Sequence, residues 1–299
     1  MLESYIFDFY ILEAGIKERK NILEKYSVLM SVYAKEKPEY LKDSIQSILQ
    51  QTEQPSEFIL VKDGLLTTEL DQIINIFTIQ YPSLFIIVSL EKNQGIAAAL
   101  NEGLKQCHYE LVARMDSDDI AVPNRCKWQL EIFSSQDVDI VGGIAAEFES
   151  NPQQIISYRK LPETQEEILF FARRRNPFNH SCVMFRKSAV LAAGGYHFFR
   201  FFEDYDLWIR MLRNGSKGYN IPKVLVHMRV GNGLYSRRSG LQYVITMVKF
   251  RRYLLHTGSI NFLDFLICTL GQTCVCFMPE CARKFFYKKI LRNSNSELI

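Results

Sequence analysis

The sequence has no Cys-x-x-Cys pair, and of its 7 cysteines four (Cys268, Cys274, Cys276, Cys281) lie in one apolar C-terminal stretch. That excludes a disulfide framework and a zinc ribbon. Glycine and proline are sparse, 15 and 9 in 299 residues, while 47% of residues are hydrophobic and 23% charged. Such a composition excludes a collagenous, low-complexity or disordered chain. A large charge of one sign is missing too. The 36 basic and 33 acidic residues leave +3, too balanced for a protein held to nucleic acid by phosphate neutralisation, so no nucleic-acid partner is expected. The first residues carry Glu3 and Asp8 in place of a basic start, and no small-residue cleavage site follows. No signal peptide is read, and the expected compartment is the reducing cytoplasm. What the chain has in quantity is aromatic residues, at 13%.

From Tyr26 to about Val141, short apolar runs alternate with amphipathic stretches, the signature of βαβ units and a mainly parallel sheet flanked by helices. The spacing predicts strands at 27–33, 57–61, 84–88 and 110–115, and helices at 38–51, 70–79 and 96–104. Beyond this, strands are predicted at 138–148, 155–159 and 181–185, with helices at 163–173 and 204–213. Residues 219–229 read as a strand broken by Pro222. In open parallel sheets ligands bind beyond the carboxyl ends of the strands. Tyr33, Asp63 and Asp116-Ser117-Asp118-Asp119 all fall at such ends.

Three carboxylates in four residues repel one another unless a hard cation or a set of donors offsets them. An EF-hand is excluded, because Ala121 stands where its glycine is required and Lys127 where its glutamate belongs. A solvated acidic turn ahead of a helix near Pro123 is the simpler alternative. The second signal is Glu203-Asp204, which follows the aromatic run Phe198-Phe199-Arg200-Phe201-Phe202. A carboxylate there can cap the helix; in apolar surroundings its raised pKa also suits a general base.

The ordered blocks Ser31-Val32-Tyr33, Val61-Lys62-Asp63-Gly64, Asn93-Gln94-Gly95, Ala113-Arg114-Met115-Asp116-Ser117-Asp118-Asp119, Asn179-His180-Ser181 and Phe202-Glu203-Asp204-Tyr205-Asp206 resemble those of family 2 glycosyltransferases with the GT-A fold. The segment from Arg229 to Arg238 is similar to bacterial members that build exopolysaccharide, capsule or O-antigen units, including the amylovoran type. The resemblance implies a Rossmann-like sheet and an inverting transfer from a nucleotide sugar, UDP-linked by expectation, to a lipid-linked saccharide. It also implies roles. Tyr33 would stack on the base and Asp63 would accept from uracil. Asp116 would hold the ribose and Asp118 would ligate Mg²⁺ or Mn²⁺. Asp204 would be the base. Lys62 departs from the family's second acidic residue there. Arg114 would contact the nucleotide or relieve carboxylate repulsion, and Arg237 and Arg238 would close over the diphosphate or remain a solvated loop. His227 is a candidate third metal ligand, or a structural histidine, and His180 a candidate facing the acceptor.

Two alternatives stay open. A nucleotidyltransferase would want a Gly-rich phosphate loop after the first strand, and residues 31–38 lack one; a catalytically silent sugar-binding protein would keep the fold without turnover. The expected organisation is an N-terminal extension (1–25), a catalytic domain (26–240) and a helical membrane-associating region (241–299). Within the last, 260–278 is apolar but interrupted by Asp264, Gly271, Gln272 and Thr273, and basic residues from Arg283 to Arg292 follow it. That pattern suits peripheral attachment at the cytoplasmic face of a membrane, or a hairpin packed on the catalytic domain, better than a span.

Overall fold

Strand β1 (Tyr26–Val32) alternates its side chains between two buried layers, Val28 and Met30 on one face and Leu29 on the other. Both faces must therefore be covered, as expected of a parallel strand. In the computed structural model, which describes residues 24–230 and 240–278, β1 pairs in parallel with β2 (Glu57–Lys62) and β4 (Leu111–Asp116). β2 in turn pairs with β3 (Phe85–Ser89). Helices α1 (Pro38–Leu49), α2 (Thr68–Gln80) and α3 (Ile96–Gln106) make the crossovers. The register sets Ser31 of β1 opposite Asp116 of β4, so the strand ends line up along one edge.

Past β4 the sheet becomes mixed. The full order is β3-β2-β1-β4-β8-β6-β9-β5. β5 (Ile120–Ala121), β6 (Ile140–Phe148), β8 (Met184–Arg186) and β9 (Gly218–Arg229) complete it, and β7 (Ser157–Arg159) pairs with β6. Pro222 does not break β9. The register jumps from Gly143↔Ile221 to Ile144↔Val224, so Pro222 and Lys223 sit in a bulge where no ladder donor is needed.

Helices α4 (Arg125–Ser135), α5 (Gln165–Ala172), α6 (Lys187–Ala192) and α7 (Glu203–Arg213) complete the layers. α8 (Leu241–His256) and α9 (Phe262–Phe277) form a helical hairpin whose first arm buries Phe250 against Phe202 and Tyr205 of the α7 region. Among the described residues no helix is long and apolar enough to cross a membrane. Arg237, Arg238, most of the 1–25 extension and the basic run from Arg283 to Arg292 lie outside the described residues.

Helix α3 lies close on the sheet at Gly103, where an added Cβ would come within 2.6 Å of Val61 Cγ2 and also meet Leu29 Cδ1. Gly103→Ala is expected to lose about 1–3 kcal/mol to overpacking in spite of the better helix propensity, read as a lower melting temperature. An unchanged or higher melting temperature would show that α3 can lift off the sheet freely.

Candidate active site

The ends of β1, β2 and β3 open onto a cleft of about 510 Å³ lined by Tyr33, Lys35, Asp63, Leu65, Lys92 and Asn93, among others. Asp63 is buried, and its carboxylate accepts from the backbone N–H of Gln94 (2.7 Å) and Gly95 (3.0 Å). These amides lead into α3, whose N-cap position is held by Gly95, a residue with no side chain to cap with, so Asp63 holds the turn from which the helix starts. Gly64 makes the approach possible: its φ is +86°, and a Cβ there would lie 2.5 Å from Asn93 N. Tyr33 remains 41% exposed. Lys62 is drawn aside to Asp71 of α2 at 2.6 Å. An exposed aromatic ring beside a carboxylate with spare lone pairs suits a flat heterocycle carrying an N–H.

One strand further along, Asp116, Asp118 and Asp119 bring one carboxylate oxygen each within 4.8 Å of one another. Asp116 pairs with the guanidinium of Arg114, which is only 1% exposed. Asp119 accepts from the backbone N–H of Arg229 (2.8 Å), and its second oxygen is buried with no partner. Arg229 Nε donates to the Asp118 carbonyl at 3.1 Å, with the guanidinium 3.7 Å over the Tyr40 ring. Ser117 Oγ donates to Glu36 at 2.6 Å. Burial, with repulsion from Asp116 and Glu36, pushes Asp118 up to about 7, and burial beside Asp118 and Asp116 lifts Asp119 well above the carboxylate range. Crowded oxygen donors, an orphaned carboxylate oxygen and raised pKa values are what a hard divalent cation would relieve. His227 lies on β9 beside Ile120 and outside this trio, and burial lowers its pKa, which favours the neutral ring.

The third group opens α7. Phe201, just ahead of it, is held at φ +74°, a conformation that costs a bulky residue about 1–2 kcal/mol. The turn sets Glu203 and Asp204 at the first two positions of the helix. Asp204 Oδ2 accepts from Asn176 Nδ2 at 2.6 Å and Oδ1 from the Tyr205 N–H at 2.7 Å. Burial raises its pKa against those two bonds, and burial with the Asp204 charge lifts Glu203 to about 7. Asp206 is occupied elsewhere, bonded to Arg210 at 2.8 Å and His197 at 3.2 Å. His180 Nε2 meets Tyr196 Oη at 3.1 Å and packs edge-on to Trp208. Arg114 joins the regions: its positive charge opposes proton uptake at Asp118, Glu203 and Asp204 and disfavours a charged His180.

A half-parallel sheet with a cleft at its strand ends, a carboxylate trio beside it and a buried carboxylate at a facing helix start define a glycosyltransferase of the GT-A fold. The chain belongs to glycosyltransferase family 2: the family model "Glycosyl transferase family 2" matches residues 27–193. It is 38% identical over 269 residues to the UDP-Gal:alpha-D-GlcNAc-diphosphoundecaprenol beta-1,3-galactosyltransferase of Escherichia coli, covering 90% of this chain and 97% of that one. Against the amylovoran biosynthesis glycosyltransferase AmsE of Erwinia amylovora it is 37% identical, covering 88% and 98%. In fold it is similar to Staphylococcus aureus TarS 1–349 in complex with UDP-GlcNAc, with a TM-score of 0.60 at 15% identity over 88% of this chain and 72% of that one. The mannosyltransferase PcManGT of Pyrobaculum calidifontis, in complex with GDP-Man and Mn2+, gives 0.59 at 14% over 90% and 76%.

Glu36, Asn176 and Arg229 stand beside these groups without being among the site residues expected from the sequence. For Arg229 a signal existed, a cation closing a strand in a chain rich in strand-end carboxylates; Asn176 gave none.

The raised groups set a pH dependence. Asp118 and Glu203 move from 3.8 and 4.5 to about 7 on folding, so between about pH 4 and 7 the native protein holds protons that the unfolded chain has released. Their contribution to stability is present below that window and is lost as pH rises through it. In EDTA the melting temperature is expected to fall from about pH 5 to about pH 7.5, and to fall less in Glu203→Gln. Equal slopes for the two proteins would show that Glu203 is not raised.

Proposed function

We propose that this glycosyltransferase moves a sugar from a UDP-linked donor to a hydroxyl of a lipid-linked saccharide, with inversion at the anomeric carbon, in the assembly of a bacterial surface polysaccharide. The observation that carries it is Arg114's charge, which reaches both the carboxylate trio and Asp204, with the cleft at the neighbouring strand ends. The relatives' activities, above all transfer to a GlcNAc-diphosphoundecaprenol, support the acceptor. Tyr33 and Asp63 hold the base in this reading, and Asp116 the ribose. Arg114 acts from beneath, since it is too buried to touch a ligand directly. Arg237 and Arg238 remain proposed diphosphate contacts.

Asp118, with Asp116, would hold Mg²⁺ or Mn²⁺; His227 as a further ligand stays part of the proposal on sequence grounds only. The cation, when bound, offsets the charge of the departing diphosphate. Asp204 takes the proton of the acceptor hydroxyl as its oxygen bonds to the anomeric carbon, and the electron pair of the sugar–phosphate bond leaves with the nucleoside diphosphate. Its depth matters here. A carboxylate with raised pKa is a stronger base, and Asn176 orients it without taking both oxygens. Residues 26–240 form the catalytic unit in this proposal, and 241–299 attach it peripherally to the cytoplasmic face of the membrane.

Asp118→Asn is expected to abolish Mn²⁺-dependent UDP binding in calorimetric titration; unchanged affinity would remove Asp118 from the cation site. Asp204→Asn keeps size and most hydrogen bonding but cannot accept the proton. Acceptor-dependent transfer should fall by about 10²- to 10⁴-fold while UDP affinity holds. Normal transfer by this variant would leave Asp204 as a helix cap, since Asn and Asp cap equally well.

A further inference from the structure

Arg173 and Arg174, just past the end of α5, face α9 across a single buried carboxylate. Arg173 Nη2 donates to Asp264 Oδ2 at 2.5 Å and Arg174 Nε to Oδ1 at 2.6 Å. Asp264 is buried, whereas the two arginine side chains are 39% and 44% exposed. One carboxylate thus fixes two guanidinium groups side by side and leaves the set with a net positive charge. Each arginine spends one side-chain nitrogen on Asp264; the others have no hydrogen-bond partner among the described residues. A fixed pair of half-exposed planar forks is matched to phosphate oxygens, which a guanidinium engages with two parallel bonds.

What lies on either side gives the pair a direction. Toward one side, α9 leaves Leu263, Leu266, Ile267 and Leu270 exposed, the last at 64%. Ile267 and Gly271 follow Asp264 by one and two helical turns, so the edge of this apolar face runs beside the arginines. A contiguous apolar face on an exposed helix marks a binding surface. Toward the other side, Asn176 lies two residues beyond Arg174 and bonds Asp204. Two residues span at most about 7 Å between Cα atoms, so the cation pair and the partner of Asp204 share one short stretch of chain. Apolar face, cation pair and general base therefore follow in the order of hydrocarbon, diphosphate and sugar hydroxyl in a lipid-diphosphate-linked saccharide.

We propose that Arg173 and Arg174 bind the diphosphate of the acceptor, with its hydrocarbon chain laid along the exposed face of α9 and its sugar delivered to Asp204. This rests on the lipid-linked acceptor reading above. Asp264 is then a positioning residue: it sets the spacing of the two forks and joins α9 to the catalytic region.

The test is binding of farnesyl diphosphate to the full-length protein in EDTA, so that no cation at the aspartate trio can hold the probe. The wild type should bind it more tightly than inorganic diphosphate or farnesol. Arg173→Gln with Arg174→Gln should weaken it by about 10- to 100-fold. Because that pair of changes strands the Asp264 charge, the triple variant adding Asp264→Asn is measured beside it, with Mn²⁺–UDP affinity as the check that the donor side is folded. Leu266→Gln with Leu270→Gln should weaken farnesyl diphosphate while leaving inorganic diphosphate unchanged. The proposal is overturned if the wild type does not bind the probe, or if the triple variant binds it equally well. It is also overturned if the arginine changes abolish only sedimentation with acidic vesicles, which would assign the pair to the bilayer surface. Failure of the acceptor reading has a different appearance: the wild type would bind farnesyl diphosphate through the arginines yet transfer no sugar to any diphosphate-linked saccharide.

Discussion

The site depends on one buried cation. Asp116, Asp118, Asp119, Glu203 and Asp204 converge from two parts of the chain, and so many carboxylates out of water would not stay together unaided. Arg114 lies in the interior, paired with Asp116, and its charge is felt at Asp118, Glu203 and Asp204. The sheet holds it there. Its backbone N–H donates to Val183 at 3.0 Å, and its carbonyl accepts from Arg125, a wholly buried side chain that also bonds the Val183 carbonyl. The β4–β8 edge is thus stitched at the residue that balances the site, and packing and catalysis share an anchor. The balance is incomplete, since Asp118 and Glu203 remain near 7 and Asp119 keeps an unpaired oxygen. That residual negative charge is what a divalent cation would meet.

Three acidic residues, Glu203, Asp204 and Asp206, lie within four positions, and where the sequence singles out Asp204 by family resemblance alone, their partners separate them. Asp206 faces back into the protein, bonded to Arg210, which also bonds the carbonyls of Ala193 and Gly195. It fixes the turn that carries Tyr196. Asp204 faces Asn176 instead, and at Glu203 burial and its neighbour's charge outweigh backbone contacts and the charge of Arg114. A helix repeats every 3.6 residues, so positions 204 and 206 lie on opposed sides of α7. The choice of Asp204 over Asp206 as the proposed base is in this sense a statement about helical phase.

The parallel half of the fold was legible because buried parallel strands write themselves as short apolar runs and their crossovers as periodic helices; β1 to β4 and α1 to α3 fall within a few residues of expectation. The strand-end aspartates were legible for the same reason, as polar residues following each run. The rest depends on partners distant in sequence. β5 has two residues and exists only because β9 passes beside it. Pro222 argued for a break in β9, and the bulge opposite Gly143 and Ile144 absorbs it. Nothing local to Asp63 shows that it accepts from the Gln94 and Gly95 amides ahead of α3, because they lie about 30 residues away. Asn176 and Asp264 were silent because their meaning lies in contacts spanning 28 and about 90 residues.

The same division runs through the chemistry. The family match, residues 27–193, contains the cleft, the trio and Arg114, and stops before Asp204. A nucleoside diphosphate presents the same atoms whatever sugar it carries, so its contacts can be fixed to aligned strand ends, where register permits little variation. Acceptors differ in sugar, linkage and anchor. In the reading proposed above, their contacts fall on the Phe201 turn, the run from Arg173 to Asn176, and α9. Among the described residues, the charge of Arg114 reaches from the trio to Asp204, and Asn176 holds Asp204 in place. Substitutions on the acceptor side can change which hydroxyl arrives without moving the donor, provided those two ties are kept. A rigid donor half with a loosely joined acceptor half is the arrangement from which one reaction can be directed to many glycans.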